Sequence, residues 1–201
     1  NAQGNLNNVF VHGNLSRPEG IAITTELSSI SVDPFKGAPA VANLHGYASL
    51  GLKSGIFVLN SDLESDNQNS FVLDFPLMFP DAWQFDSVKA KINYKVTDEA
   101  VLLQSGLIEA VQGEMTAAGR FMLNFPSDIT LHTWGFELGV KNAALLNTYD
   151  YLPKTLPAEL QAWIKDSVLA GTAIESGLIF HGSLASVTPK DQKAFELYFD
   201  V

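Results

Sequence analysis

Along most of this chain, apolar side chains alternate with polar or small ones. From Gln84 to Val96, Val88, Ala90, Ile92, Tyr94 and Val96 alternate with Lys89, Lys91, Asn93 and Lys95, which predicts a strand with one dry and one wet face. Trp134, Phe136, Leu138 and Val140 repeat the pattern against Thr133, Gly135, Glu137 and Gly139, and Phe195, Leu197, Phe199 and Val201 share one face at the end. Further strands are expected at Leu6–Leu15, Gly20–Val32, Ala42–Gly51, Lys53–Asn60, Ala100–Gln104, Leu107–Ala117, Arg120–Phe125 and Ile174–Leu184. In Gly20–Val32 the apolar phase switches faces between Leu27 and Ile30, which predicts a bulge or bend near Ser28-Ser29. Phe71–Phe79 is very apolar but carries Pro76, with Pro80 just beyond, and reads as an edge strand or a loop over an apolar cavity.

One stretch has the other period. Leu160, Trp163, Ile164 and Val168 fall at i, i+3, i+4 and i+8, predicting one amphipathic helix at about 157–170. Pro157 is tolerated in a first helical turn, Glu159 suits the positive end of the dipole, and Gly171 is the expected stop. Ala143–Tyr149 predicts a short helical turn ahead of it. The pattern is therefore mainly β and antiparallel, with a β-rich first part over about 3–125 and a strand-helix-strand second part over about 126–201.

Two arrangements satisfy so many one-faced strands. Two sheets close on each other as a dry sandwich, or one strongly curved sheet keeps an apolar trough. Periodicity does not choose between them, and physical grounds alone favour the sandwich. The candidates for lining an apolar trough, drawn from alternation, are Trp134, Phe136, Leu138, Val140, Leu178, Phe180, Phe195, Leu197 and Phe199. Val88, Ile92 and Tyr94 join them if the middle strand has the same inward face, and the stripe Leu160, Trp163, Ile164 and Val168 caps or lines one side.

Composition adds exclusions. Apolar residues make up 46% and charged residues only 17%, below the usual quarter, so much apolar surface must be hidden. A net charge of −10 with only Arg17 and Arg120 as arginines argues against nucleic acid, which needs clustered cations. No cysteine is present, which removes disulfides and thiol chemistry. No apolar run is long enough for a transmembrane helix. The start at Asn1 rather than Met reads as a piece of a longer protein.

Candidate chemistry is sparse. Gly46-Tyr47-Ala48-Ser49-Leu50-Gly51 has one residue too many for a nucleophile elbow, and no phosphate loop, dinucleotide fingerprint or zinc-protease motif occurs. Asp62, Glu64 and Asp66 alternate as in a calcium loop, but without its Gly and closing Glu they read as a solvated hairpin tip. His12-Gly13, His45-Gly46 and His181-Gly182 recur in one frame; their wide spacing suggests a repeated strand position rather than a metal site. No enzyme activity, metal or cofactor is expected. Scattered carboxylates leave glycoside hydrolysis open only through a pair brought together by folding.

Leu156-Pro157, Leu160, Trp163-Ile164, Val168, Gly171, Gly177-Leu178-Ile179 and His181-Gly182-Ser183-Leu184 together resemble the central periplasmic region of YhdP-like proteins, within the AsmA-like family. The resemblance implies a β-groove built from repeated strands, one segment of a conduit that spans the periplasm from an inner-membrane anchor. It also implies phospholipid acyl chains as cargo, moving passively between inner and outer membranes, which parts outside this chain would reach. Two other readings remain open: a ligand- or glycan-binding β-sandwich, for which Trp83 and Tyr47 would supply exposed aromatics, and a structural envelope spacer without transport.

Overall fold

A computed structural model describes residues 1–200 except 15, 36–37, 63–68, 153, 155, 168–169 and 184–192; the side chains of 17–19 and 148 are also outside the description. The hairpin tip expected around Glu64 and Asp66 therefore falls largely outside the described residues. In order, the strands are β1 (Ala2–Asn14), β2 (Arg17–Val32), β3 (Ala40–Gly51), β4 (Ser54–Asp62), β5 (Phe71–Asp74), β6 (Trp83–Phe85), β7 (Ser87–Val96), β8 (Ala100–Ser105), β9 (Ile108–Gln112) and β10 (Met115–Pro126). A 3-10 turn (Ile129–Leu131) leads into β11 (Thr133–Ala144). A longer one (Leu145–Tyr151) leads to helix α1 (Ala158–Ser167), followed by β12 (Thr172–Gly182) and β13 (Ala194–Asp200).

All thirteen strands join one antiparallel sheet in the order β1-β2-β3-β4-β7-β8-β10-β11-β12-β13. The short strands continue longer ones toward one side: β5 pairs with β3 and β6, and β9 pairs with β7 and β10. The sheet is curved and among the described residues no second sheet faces it, so of the two arrangements the trough is the one adopted. Among the described residues no large side chain is fully buried. The best-packed point is where β5 and β6 curl inward: Phe71, Val88 and Ala110 cluster there with Val41, Leu44, Leu73, Phe85 and Ala117 around them.

The expected bend in β2 is present. Register shifts between Leu27 and Ile30, where Ser29 has φ 52°, and this restores Ile30 to the face that Leu27 occupies. Three elements differ from expectation. Leu107–Ala117 is not one strand: Gly113, at φ 56°, makes a tight hairpin between β9 and β10. Gly119 lies inside β10, where a Cβ would meet the Glu137 carbonyl oxygen at 2.6 Å. Gln84–Val96 is broken at Asp86, whose N–H donates to Val111 O and whose carboxylate accepts from Gly113 N at 2.7 Å. Phe71–Asp74 is a strand with neighbours on both sides rather than an edge, and Pro76 lies in the turn after it.

Antiparallel order divides the connections between two rims. On the turn rim the links among the described residues are short, namely Asn14 to Arg17, Gly51 to Ser54, Val96 to Ala100, and Pro126 to Thr133; the link from β12 to β13 is on this rim too and falls largely outside the described residues. The opposite rim carries the two long excursions among the described residues, Phe75–Ala82 and Leu145–Gly171. These meet. Trp83 Nε1 donates to Asp150 O at 3.3 Å, Lys154 N donates to Met78 O at 2.7 Å, and Lys154 Nζ donates to Pro76 O at 3.0 Å.

Helix α1 stands on this second rim with no buried residue. Trp163 is 65% exposed and Leu160 is exposed too, Ile164 is half-buried, and Val168 lies outside the described residues. The stripe thus sits beside the rim instead of in a core, and the helix's neighbour is the turn before it, where Lys165 lies 5.6 Å from the Tyr149 ring.

Candidate functional site

Strand register carries one face across the whole sheet. On β11, Trp134, Phe136, Leu138 and Val140 stand opposite Leu123, Phe121, Gly119 and Ala117 of β10, and opposite Gly182, Phe180, Leu178 and Ser176 of β12. Phe195, Leu197 and Phe199 of β13 follow, opposite Phe180, Leu178 and Ser176. In the other direction Leu123 meets Leu103, Leu103 meets Tyr94, and Tyr94 meets Gly55 next to Leu50 and Ile23. Ile92 meets Phe57, and Val88 meets Ser61 and Ala110. Every inward strand residue expected from alternation therefore lies on one face, and β7 shares it.

That face is lined with rings in contact. Centroids lie 6.0 Å apart for Trp134 and Phe136, 6.3 Å for Phe136 and Phe180, and 5.4 Å for Phe125 and Trp134. Phe57 and Tyr94 lie 6.4 Å apart, and Tyr94 reaches across Gly55 to donate its O–H to Gly51 O. A side chain at Gly55 would occupy the place of that ring.

The face is also open. Toward β13 its exposure rises, with Leu138 at 44% and Phe195 at 61%. A shallow depression of about 630 Å³ across β10 to β13 belongs instead to the other side of the sheet, since most of its lining, including Arg120, Glu137, Gly139, Glu196 and Tyr198, has the opposite register. Toward the excursion rim the apolar face is covered. Phe75, Phe79 and Trp83 pack together, with Phe79 and Trp83 4.5 Å apart, and Tyr151 packs tilted against Trp83 at 5.4 Å. Tyr151 also donates to Gln112 Oε1 at 2.7 Å. Burial, and secondarily the charge of Asp150, push the Tyr151 phenol above the usual tyrosine range.

The opposite face is wetter. Lys89, Lys91, Asn93 and Lys95 of β7 point there, Arg120 pairs with Glu137 at 2.6 Å, and Lys141 pairs with Glu175 at 3.7 Å across neighbouring strands. Tyr47 belongs to this face, whereas Trp83 is half-buried in the aromatic cluster on the other, so the two do not share a groove.

The recurrent His-Gly frame corresponds to one backbone conformation: Gly13, Gly46 and Gly182 have φ of 151°, 149° and 143°. Their histidines are on β1, β3 and β12, and among the described residues no three His, Cys, Asp or Glu side chains gather as a metal site.

Sequence reasoning passed over Phe57, Leu103, Phe121, Leu123 and Phe125, although their strands were expected and their alternation matches their neighbours. The Phe75, Phe79, Trp83 and Tyr151 cluster carried no periodic signal, because its members come from two irregular excursions far apart in the chain.

A family model described as YhdP protein matches residues 1–201. No curated protein and no solved structure matches the chain.

Proposed function

The chain belongs to the YhdP family, and from that premise we propose that it is a segment of a phospholipid conduit in the Gram-negative periplasm. The observation that carries the reading is the uncovered apolar face, continuous by register from Ile23 on β2 to Phe195 on β13. Such a surface offers acyl chains a dry track while the opposite face stays solvated. Each methylene kept from water is worth about 0.8 kcal/mol, so a track without polar gaps removes most of the cost of carrying a tail across an aqueous space.

Transport on such a track is passive: tails slide, headgroups remain in water, and no bond is made or broken. Inner and outer membranes would be reached through other parts of an inner-membrane-anchored protein. Phe136 and Phe180 form the central ring pair of the open part of the face, and we assign them to the track.

The test is native mass spectrometry of the chain purified gently from a Gram-negative host, with identification of bound lipid. Phospholipid should co-purify and be lost from Phe136→Asp and Phe180→Asp variants whose folded fraction, followed by circular dichroism, is unchanged. A lipid-free chain that takes up no added phospholipid would overturn the conduit reading. Unfolding of both variants would instead make these rings ordinary core.

A further inference from the structure

The two rims of the groove are built differently, and the difference bears on how a lipid lies in it. At the excursion rim the inner face is roofed. The Leu145–Tyr151 turn leaves the end of β11 and returns over the ends of β9 and β6, fastened by Tyr151 to Gln112 and by Asp150 O to Trp83 Nε1. Lys154 then ties the same segment to the Phe75–Ala82 excursion through Pro76 O and Met78 O. Beneath this roof lies the packed cluster of Phe71, Val88 and Ala110.

At the turn rim, by contrast, the described links are short, and the face behind them ends in half-buried Leu50, Tyr94, Val101, Phe125 and Trp134. Nothing among the described residues crosses over it.

Resting on the conduit reading, we propose that a phospholipid held here lies crosswise, tails toward the roofed rim, and presents its phosphate headgroup to water at the turn rim. The argument is one of solvation. A phosphodiester cannot leave water without a matched cation, whereas tails gain most where apolar cover is greatest. Under the roof, aromatic rings and the strap formed by residues 145–154 would strip the headgroup of water. Of the described lysines on this excursion, Lys154 already donates to Pro76 O, and Lys165 lies over the Tyr149 ring.

Charge does not separate the rims: Asp81 and Glu114 at the roofed rim are as exposed as Asp98, Glu99 and Asp128 at the turn rim, and solvent screens them alike. Desolvation alone decides the orientation.

The absence of any native cysteine makes the test clean. Single variants Leu52→Cys and Ser127→Cys report the turn rim, and Ala82→Cys and Asn147→Cys report the roofed rim; all four positions are exposed and uncharged. The probe is phosphatidylethanolamine with a maleimide on its headgroup, and a small soluble maleimide normalises thiol reactivity. Normalised headgroup adduct should be several-fold greater at Leu52→Cys and Ser127→Cys. Adding Trp83→Ala and Tyr151→Ala to Ala82→Cys unfastens the strap and should raise its adduct toward the turn-rim level.

Equal adduct at the two rims, more at the roofed one, or no response to unfastening would overturn the proposal. A second phospholipid carrying a diazirine in its tail separates this failure from that of the conduit reading. Insertion into the Phe136 and Phe180 peptides with headgroup adduct at the roofed rim rejects the orientation alone. No tail insertion into a folded chain rejects both.

Discussion

Single residues set how closely these strands approach, and glycine marks two distinct situations. At Gly46, with φ 149°, an added Cβ would overlap the Val58 carbonyl oxygen of the paired strand. Neither partner yields there without breaking the β3 to β4 ladder, so Gly46→Ala should cost about 3 kcal/mol. At Gly113, φ is 56° and nothing lies within 4 Å of the position an added methyl would take. Gly113→Ala then meets only left-handed backbone strain, about 1 kcal/mol. Urea unfolding of the two variants reads the difference directly, and equal losses would show that backbone conformation rather than strand contact governs Gly46. The same reasoning explains the His-Gly frame: the glycine, with its repeated positive φ, is the member of each pair that the backbone requires.

At the scale of elements, the strap over the excursion rim makes a prediction of its own. Tyr151 is protected from ionising by burial, so its folded value lies above the ordinary tyrosine value of 10.0. The unfolded chain therefore loses this proton first as pH rises. The contribution is whole below pH 10 and is lost as pH climbs through the raised value. Tyr151→Phe removes the bond to Gln112, costing about 1 kcal/mol at neutral pH, and should also flatten the fall in urea midpoint that sets in as pH rises past the ordinary tyrosine value of 10.0. An alkaline fall of the same size in both proteins would detach Tyr151 from the strap's stability. These elements were unequally legible in the sequence. Strands such as β7 and β11 announce themselves because one face is dry and the other wet, and even the β2 bulge shows as a phase switch between Leu27 and Ile30. The strap does not, because its anchors, Trp83 with Asp150 and Lys154 with Met78, join irregular segments whose contacts obey no period. Helix α1 was legible as a helix, but its stripe said nothing of its surroundings: amphipathicity reports that a face is apolar, and here Trp163 on that face is exposed.

At the scale of the whole molecule, the decisive quantity is surface. The chain exposes 13105 Å², whereas a compact protein of 21.8 kDa is expected to expose about 9,300 Å². A single curved layer onto which no second sheet folds among the described residues contributes to such an excess, and alternation alone cannot distinguish the two because both demand the same one-faced strands. A protein built this way has stability held in reserve: whatever covers the open face adds burial that the chain does not supply itself, and ligand bound only to the folded state raises stability by mass action. Monomeric lysophospholipids of increasing tail length, about eight to sixteen carbons, should therefore raise Tm progressively at a fixed free concentration. Each methylene that finds the track adds up to about 0.8 kcal/mol to binding. The rise should level off once the tail outgrows the dry width between the rims, and Phe136→Asp, with a charge set in the track, should level off at a shorter tail. A length-independent Tm in the folded wild-type chain would mean that the face does not take up tails, and its cover would then have to be protein.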